Sequence, residues 1–146
     1  MSAQVVSRQW DIFFPCSVER LFATVADIER YPDFMPGCIE ARIVQRDEHV
    51  WRVDNRFAFG LVRVGFFSTA KLSPPYALTI ASDNGPWRRL LIQWKFAREG
   101  DGARLYCDAQ LGFHSTFLTS MAALTAGAVD RRVIAAFRRR ALAPDG

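Results

Sequence analysis

The most constraining feature of this chain is an imbalance between strands and helices. Residues 38–113 read almost entirely as strands, and only one long helical segment, residues 116–142, is available to cover them. Ile39, Ala41 and Ile43 alternate with Glu40 and Arg42. Trp51, Val53, Asn55 and Phe57 alternate with Arg52, Asp54 and Arg56. Val62, Val64 and Phe66 follow the Gly60 turn, and residues 76–82 form another strand after the Pro74-Pro75 break. Asp83-Asn84-Gly85-Pro86 is a turn signal. Leu90, Ile92, Trp94 and Phe96 then share a face, as do Leu105, Cys107, Ala109, Leu111 and Phe113 in the last strand. A period of two of this kind gives each strand one apolar and one polar face. Short connections between successive strands point to an antiparallel meander.

Upstream, residues 5–14 read as a strand with Trp10, Ile12 and Phe14 on one face, ended by Pro15. Ser17 caps a helix carrying Val18, Leu21, Phe22, Val25 and Ala26, with Glu19 at the positive end of its dipole. Asp27 reads as the cap of a second short helix that stops near Tyr31-Pro32, and Pro36-Gly37 as a turn. The long helix, capped by Ser115 or Thr116, carries an apolar stripe of Phe117, Leu118, Met121, Ala122, Thr125, Val129, Val133, Ile134 and Phe137. Its middle, AALTAGAV, is slim. The fold class is therefore α+β: a curved antiparallel sheet of about seven strands wrapped around a long C-terminal helix, with two short helices after the first strand. One domain spans residues 1–146. A sheet rich in aromatic side chains, curled against a slim helix, leaves a void between them. The twelve Phe and four Trp of the chain must fill a core or line that cavity.

Candidate ligand-binding residues follow from the apolar faces: Trp51, Asn55, Phe57, Phe66, Ile92, Trp94, Leu111, Phe113, Met121, Thr125 and Val129. Such sites are mostly apolar with a few placed polar groups, and Asn55 and Thr125 supply them here. Tyr31, Phe34 and Met35, set among prolines, form either a lid and membrane lip or a plug at the sheet's open end. The net charge of +4 is carried almost entirely by arginine. It permits an anionic partner, and Arg131, Arg132 and Arg139 are the candidate contacts. DNA is not among the expected partners.

No catalytic residue is assigned. His49 and His114 lie near strand ends without a Ser or Cys partner in a diagnostic motif. Cys16, Cys38 and Cys107 have neither zinc-site nor disulfide-framework spacing, so no metal is expected and a reducing compartment is the simplest reading. The start MSAQVVSRQWD lacks the apolar core of a signal peptide, and no run of about 18 apolar residues occurs. The expected location is the cytoplasm.

Several segments carry a family resemblance. Asp27-Ile28-Glu29-Arg30-Tyr31-Pro32-Asp33-Phe34-Met35-Pro36-Gly37-Cys38 is similar to the D-V-x-x-Y-P-x-F-L-P-x-C signature of the coenzyme Q-binding protein family. That family lies within the START-like, helix-grip superfamily of polyketide cyclase/dehydrase type, and its bacterial branch contains the ribosome-association toxins. Asp83 to Leu90 with Trp94-Lys95-Phe96 resembles its D-G-P-F-x-x-L…W-x-F segment, Phe66 to Thr69 its F-x-T, and Ala136 to Ala141 its A-F-x-x-R-A. Here Trp87 stands in place of the usual Phe, Gln93 in place of Gly, and Phe113-His114-Ser115 lacks one aromatic of the usual F-x-F. The resemblance implies a carrier for a lipophilic molecule, ubiquinone or another polyprenyl quinone, serving respiration or quinone biosynthesis. No cofactor is required beyond that ligand, and peripheral contact with the inner membrane is compatible with it. It also implies two alternatives: a protein that binds a ribosomal subunit and its RNA and blocks subunit joining, or a polyketide cyclase or aromatase.

Overall fold

Residues 5–144 are described by the computed structural model, so the ends of the expected domain, residues 1–4 and 145–146, lie outside the described residues. Strand β1 (Val5–Phe14) leads into α1 (Val18–Ala26), a 3₁₀ turn (Ile28–Arg30) and the one-turn α2 (Tyr31–Phe34). Six strands follow: β2 (Cys38–Arg46), β3 (Val50–Phe59), β4 (Val62–Ser73), β5 (Ala77–Ser82), β6 (Trp87–Glu99) and β7 (Gly102–Phe113). The helix α3 (Thr116–Leu142) closes the chain. The sheet order is β1-β7-β6-β5-β4-β3-β2, and each neighbouring pair is antiparallel. The six consecutive strands are thus the expected meander. The short helices carry the chain from one edge of the sheet to the other.

Local chemistry explains most of the boundaries. Ser17 Oγ accepts the Arg20 amide at 3.1 Å, and Ser115 Oγ accepts that of Leu118 at 3.2 Å, so Ser115 rather than Thr116 is the cap of α3. The Asp83–Pro86 turn is held from two directions. Gly85 has φ +62°, and a Cβ there would lie 2.7 Å from that of Phe66, so the position suits only glycine. Beside it, Asn84 Oδ1 accepts the Phe67 amide at 2.7 Å while Asn84 Nδ2 donates to the Phe67 carbonyl at 2.9 Å. The side chain of Asn84 thereby acts as a short extra partner for β4.

The segment after α1 differs from expectation. The Asp27 side chain makes no capping bond and faces Arg140 at 3.9 Å. The short helical turn after Asp27 does stop at Arg30, just before Tyr31-Pro32, but a further turn, α2, starts there, because a proline in the first turn lacks only an N–H that the helix leaves unused anyway. In α3, Phe117 points outward, 62% exposed, and does not join the inner stripe.

The apolar interior has two parts. At one end α1, α2 and the last turns of α3 pack solidly on the sheet, with Phe14, Leu21, Val25, Leu105, Phe137 and Ala141 all essentially inaccessible. The α3 C-terminus is fastened there by Arg20, whose guanidinium donates to the carbonyls of Ala141 and Ala143. Toward the helix N-terminus the packing opens. Apart from Phe137, the buried residues of α3 are Thr119, Ala126, Ala136 and Ala141, which are too short to reach across to a strongly curved sheet. Register shifts near Glu40, Gln45 and Arg89 bend the strands further.

Candidate functional site

Between α3 and the sheet lies a cavity of about 320 Å³. Its floor is built in rows that follow from strand register. Trp10, Cys107 and Trp94 are cross-strand partners on β1, β7 and β6. The next row is Arg8, Ala109, Ile92 and Ile80, followed by Leu111 with Leu90, and then Phe113 with Trp87. Phe57, Phe66, Val62 and Val64 continue the wall on β3 and β4. The roof is the α3 face from Leu118 to Phe137.

One end is closed by aromatic edges. The Phe137 ring meets Trp94 at 5.5 Å, Phe34 at 5.8 Å and Tyr31 at 6.0 Å between centroids. Tyr31 is buried, donates its hydroxyl to the Val25 carbonyl, and has its phenol pushed above the usual range by loss of solvent. Tyr31 and Met35 belong to the cavity wall, whereas Phe34 packs on Phe137 with the Arg140 guanidinium over its ring. Tyr31, buried, and Phe34 and Met35, half-buried, thus plug this end. At the other end the wall residues Val62, Val64, Leu118 and Met121 are only half-buried.

Of the residues proposed from sequence as ligand contacts, Phe57, Phe66, Ile92, Trp94, Leu111, Phe113, Met121, Thr125 and Val129 line this cavity. Trp51 and Asn55 do not. Trp51, at the opposite end of β3 from Phe57, is half-buried against the solid core with the Arg46 guanidinium 4.4 Å over its ring. Asn55 is buried, and its amide nitrogen lies 2.9 Å from Ser68 Oγ and 3.2 and 3.3 Å from the Val53 and Phe66 carbonyls. Its donors are thus engaged within the sheet. Thr125 likewise spends its hydroxyl on the Met121 carbonyl, 2.7 Å away. We expect Asn55→Leu to lower unfolding free energy by about 1–3 kcal/mol, since Ser68 loses its partner. Ligand affinity should stay within about twofold of the parent, as denaturation and binding titrations would show.

Other wall residues were not among the candidate ligand contacts. Trp10 and Trp87 are the larger two, and the indole N–H groups of Trp10, Trp87 and Trp94 are all buried without an acceptor. Arg8 and Asp130 form an ion pair across the seam between β1 and α3. Arg8 Nε and Nη2 lie 2.7 and 2.5 Å from Asp130 Oδ2. The signal for Arg8 was its period-two placement with Trp10, Ile12 and Phe14; for Asp130, it was its position in the α3 stripe between Ala126 and Val133. Cys107 in the floor is held as a neutral thiol, its pKa pushed up to about 12 chiefly by burial.

Outside the cavity, His49 and His114 are exposed, as are Arg131, Arg132 and Arg139. Among the described residues, no three His, Cys, Asp or Glu side chains come together as metal ligands, and no helix is long and apolar enough to cross a membrane.

Comparison with known proteins agrees with this architecture. The ribosome association toxin RatA of Pseudomonas aeruginosa is 28% identical over 95 residues, covering 65% of this chain and 66% of that one. RatA of Vibrio cholerae serotype O1 is 27% identical over 130 residues, covering 86% and 88%. A START superfamily protein of Mycobacterium smegmatis superimposes with a TM-score of 0.76 at 15% identity, over 94% of this chain and 96% of that one. Residues 14–140 match the family described as polyketide cyclase / dehydrase and lipid transport. With its seven-stranded curved sheet gripping one long helix, the chain belongs to that START-like family.

Proposed function

We propose that this protein is a non-enzymatic carrier for a lipophilic small molecule, with a polyprenyl quinone such as ubiquinone as the ligand. The observation that carries the reading is the cavity of about 320 Å³, floored by Trp10, Trp94, Trp87, Phe66 and Phe113. That volume suits a ring and a short length of tail, with the rest of the tail leaving between β4 and the start of α3. Aromatic side chains stack on a quinone ring, and each buried methylene contributes about 0.8 kcal/mol. Leu61 and Phe117, exposed next to the wall residues Val62 and Leu118, support transfer at a membrane surface, with the α3 arginines meeting anionic headgroups. The work would be done from the cytoplasmic side.

The test is native mass spectrometry with lipid extraction of protein purified from a quinone-producing host. A co-purifying quinone is the expected result. Protein that emerges empty and takes up no quinone on titration would overturn the reading.

A second reading is favoured by the relatives named as ribosome association toxins and by the exposure of Arg131, Arg132 and Arg139. It predicts co-sedimentation with a ribosomal subunit that weakens steeply with salt and with Ala at these three positions. Sucrose-gradient profiles that do not change on overexpression would remove it. Asn55 lends no support to the cyclase alternative, because its amide is held inside the sheet.

A further inference from the structure

The wall of the cavity contains two charged side chains among the described residues, Arg8 and Asp130, and they neutralise each other. Both Arg8 contacts go to one oxygen, Asp130 Oδ2. These contacts use neither Asp130 Oδ1 nor Arg8 Nη1, which leaves an acceptor and a donor on the pair; the Arg8 side chain is 37% exposed and that of Asp130 15%. Arg8 stands in the floor row that continues through Ala109 and Ile92, and Asp130 meets it from α3. Trp10 lies two residues along the same strand face, and its indole N–H is buried without an acceptor.

Such a pair discriminates by charge. A carboxylate entering this wall meets an arginine whose charge is already compensated, and its own charge stays unpaired in an apolar surround. A hydroxyl or carbonyl faces no such penalty and finds both a donor and an acceptor. Resting on the carrier reading above, we infer that the cavity selects neutral lipophiles bearing a hydroxyl or carbonyl group, seated at Arg8 and Asp130, and rejects fatty acids and other carboxylates of the same shape.

The test uses three probes with one skeleton: 4-(2-naphthyl)butan-1-ol, the corresponding butanoic acid, and 2-butylnaphthalene. Each is titrated at pH 7.5 with tryptophan fluorescence as the readout. The parent protein should bind the alcohol about tenfold or more tighter than the acid, and tighter than the hydrocarbon. Asp130→Asn frees the arginine charge, and the preference should reverse toward the acid. The double variant Arg8→Met with Asp130→Leu should retain the hydrocarbon and lose the advantage of the alcohol. It serves independently if the single variant does not fold. Equal affinity for alcohol and acid in the parent, or an unchanged order in the variants, overturns the inference while leaving the carrier reading in place. Uptake of none of the three by the parent overturns both.

Discussion

Replacing Ala126 by Phe is expected to weaken uptake of lipophilic ligands by more than about tenfold while leaving the fold nearly as stable as before. Ala126 is 7% exposed and stands in the cavity roof, facing space rather than a packed neighbour. A phenyl ring there takes a large share of the roughly 320 Å³ that a ligand would use. Because the ring enters a void, its overpacking cost should stay below about 1 kcal/mol, under the usual range for a filled core. The control lies ten residues along the same helix. Ala136 is 1% exposed and does not line the cavity. Phe at that position must displace close-packed neighbours and should cost about 1–3 kcal/mol or more. Equilibrium denaturation and ligand titration of both variants separate the two effects. Equal destabilisation at the two sites would mean that the cavity closes up in solution.

The second large effect is expected at Phe137. This ring is 1% exposed and meets Tyr31, Phe34 and Trp94, so it joins the plug, the sheet and α3 at a single point. Truncation to Ala should cost about 3–5 kcal/mol, the range for a large buried aromatic. For a chain of this size that corresponds to a fall in Tm of roughly 6–20 °C. Phe137→Leu should lose much less. The loss should reach the plug as well, because Tyr31 and Phe34 both use this ring as a neighbour. Faster amide exchange in residues 28–36 of the Ala variant, with β3 and β4 unchanged, is the expected signature. Calorimetry and hydrogen exchange measure both. A Tm shift of under about 3 °C would show that Phe137 is not the keystone of the closed end.

The plug and the cavity wall divide what could be read from the residues and what could not. Period-two alternation placed the strands and their faces, since side chains on a strand point alternately to opposite sides whatever the rest of the chain does. Turn chemistry marked the breaks at Pro74-Pro75 and Asp83–Pro86, because glycine and proline act through their own backbone torsions. The slim stretch from Ala122 to Ala128 signalled the void in advance, because Ala122, Thr125 and Ala126, which line it, are too short to fill it and Leu124 points to solvent.

Tertiary structure decided the rest. Facing inward did not make Trp51 and Asn55 part of the cavity. That depended on where along β3 each residue meets the curved sheet and on whether Ser68 and two carbonyls were near enough to engage the amide. The proline permits α2 to start at Tyr31-Pro32, but the seating of Tyr31 against Phe137, which places that turn at the end of the cavity, is a tertiary contact. The Arg8–Asp130 pair joins residues 122 positions apart. Hydrophobic pattern reads local periodicity and passes over charges. Only the docking of α3 against the β1 edge brings these two together in an otherwise apolar wall.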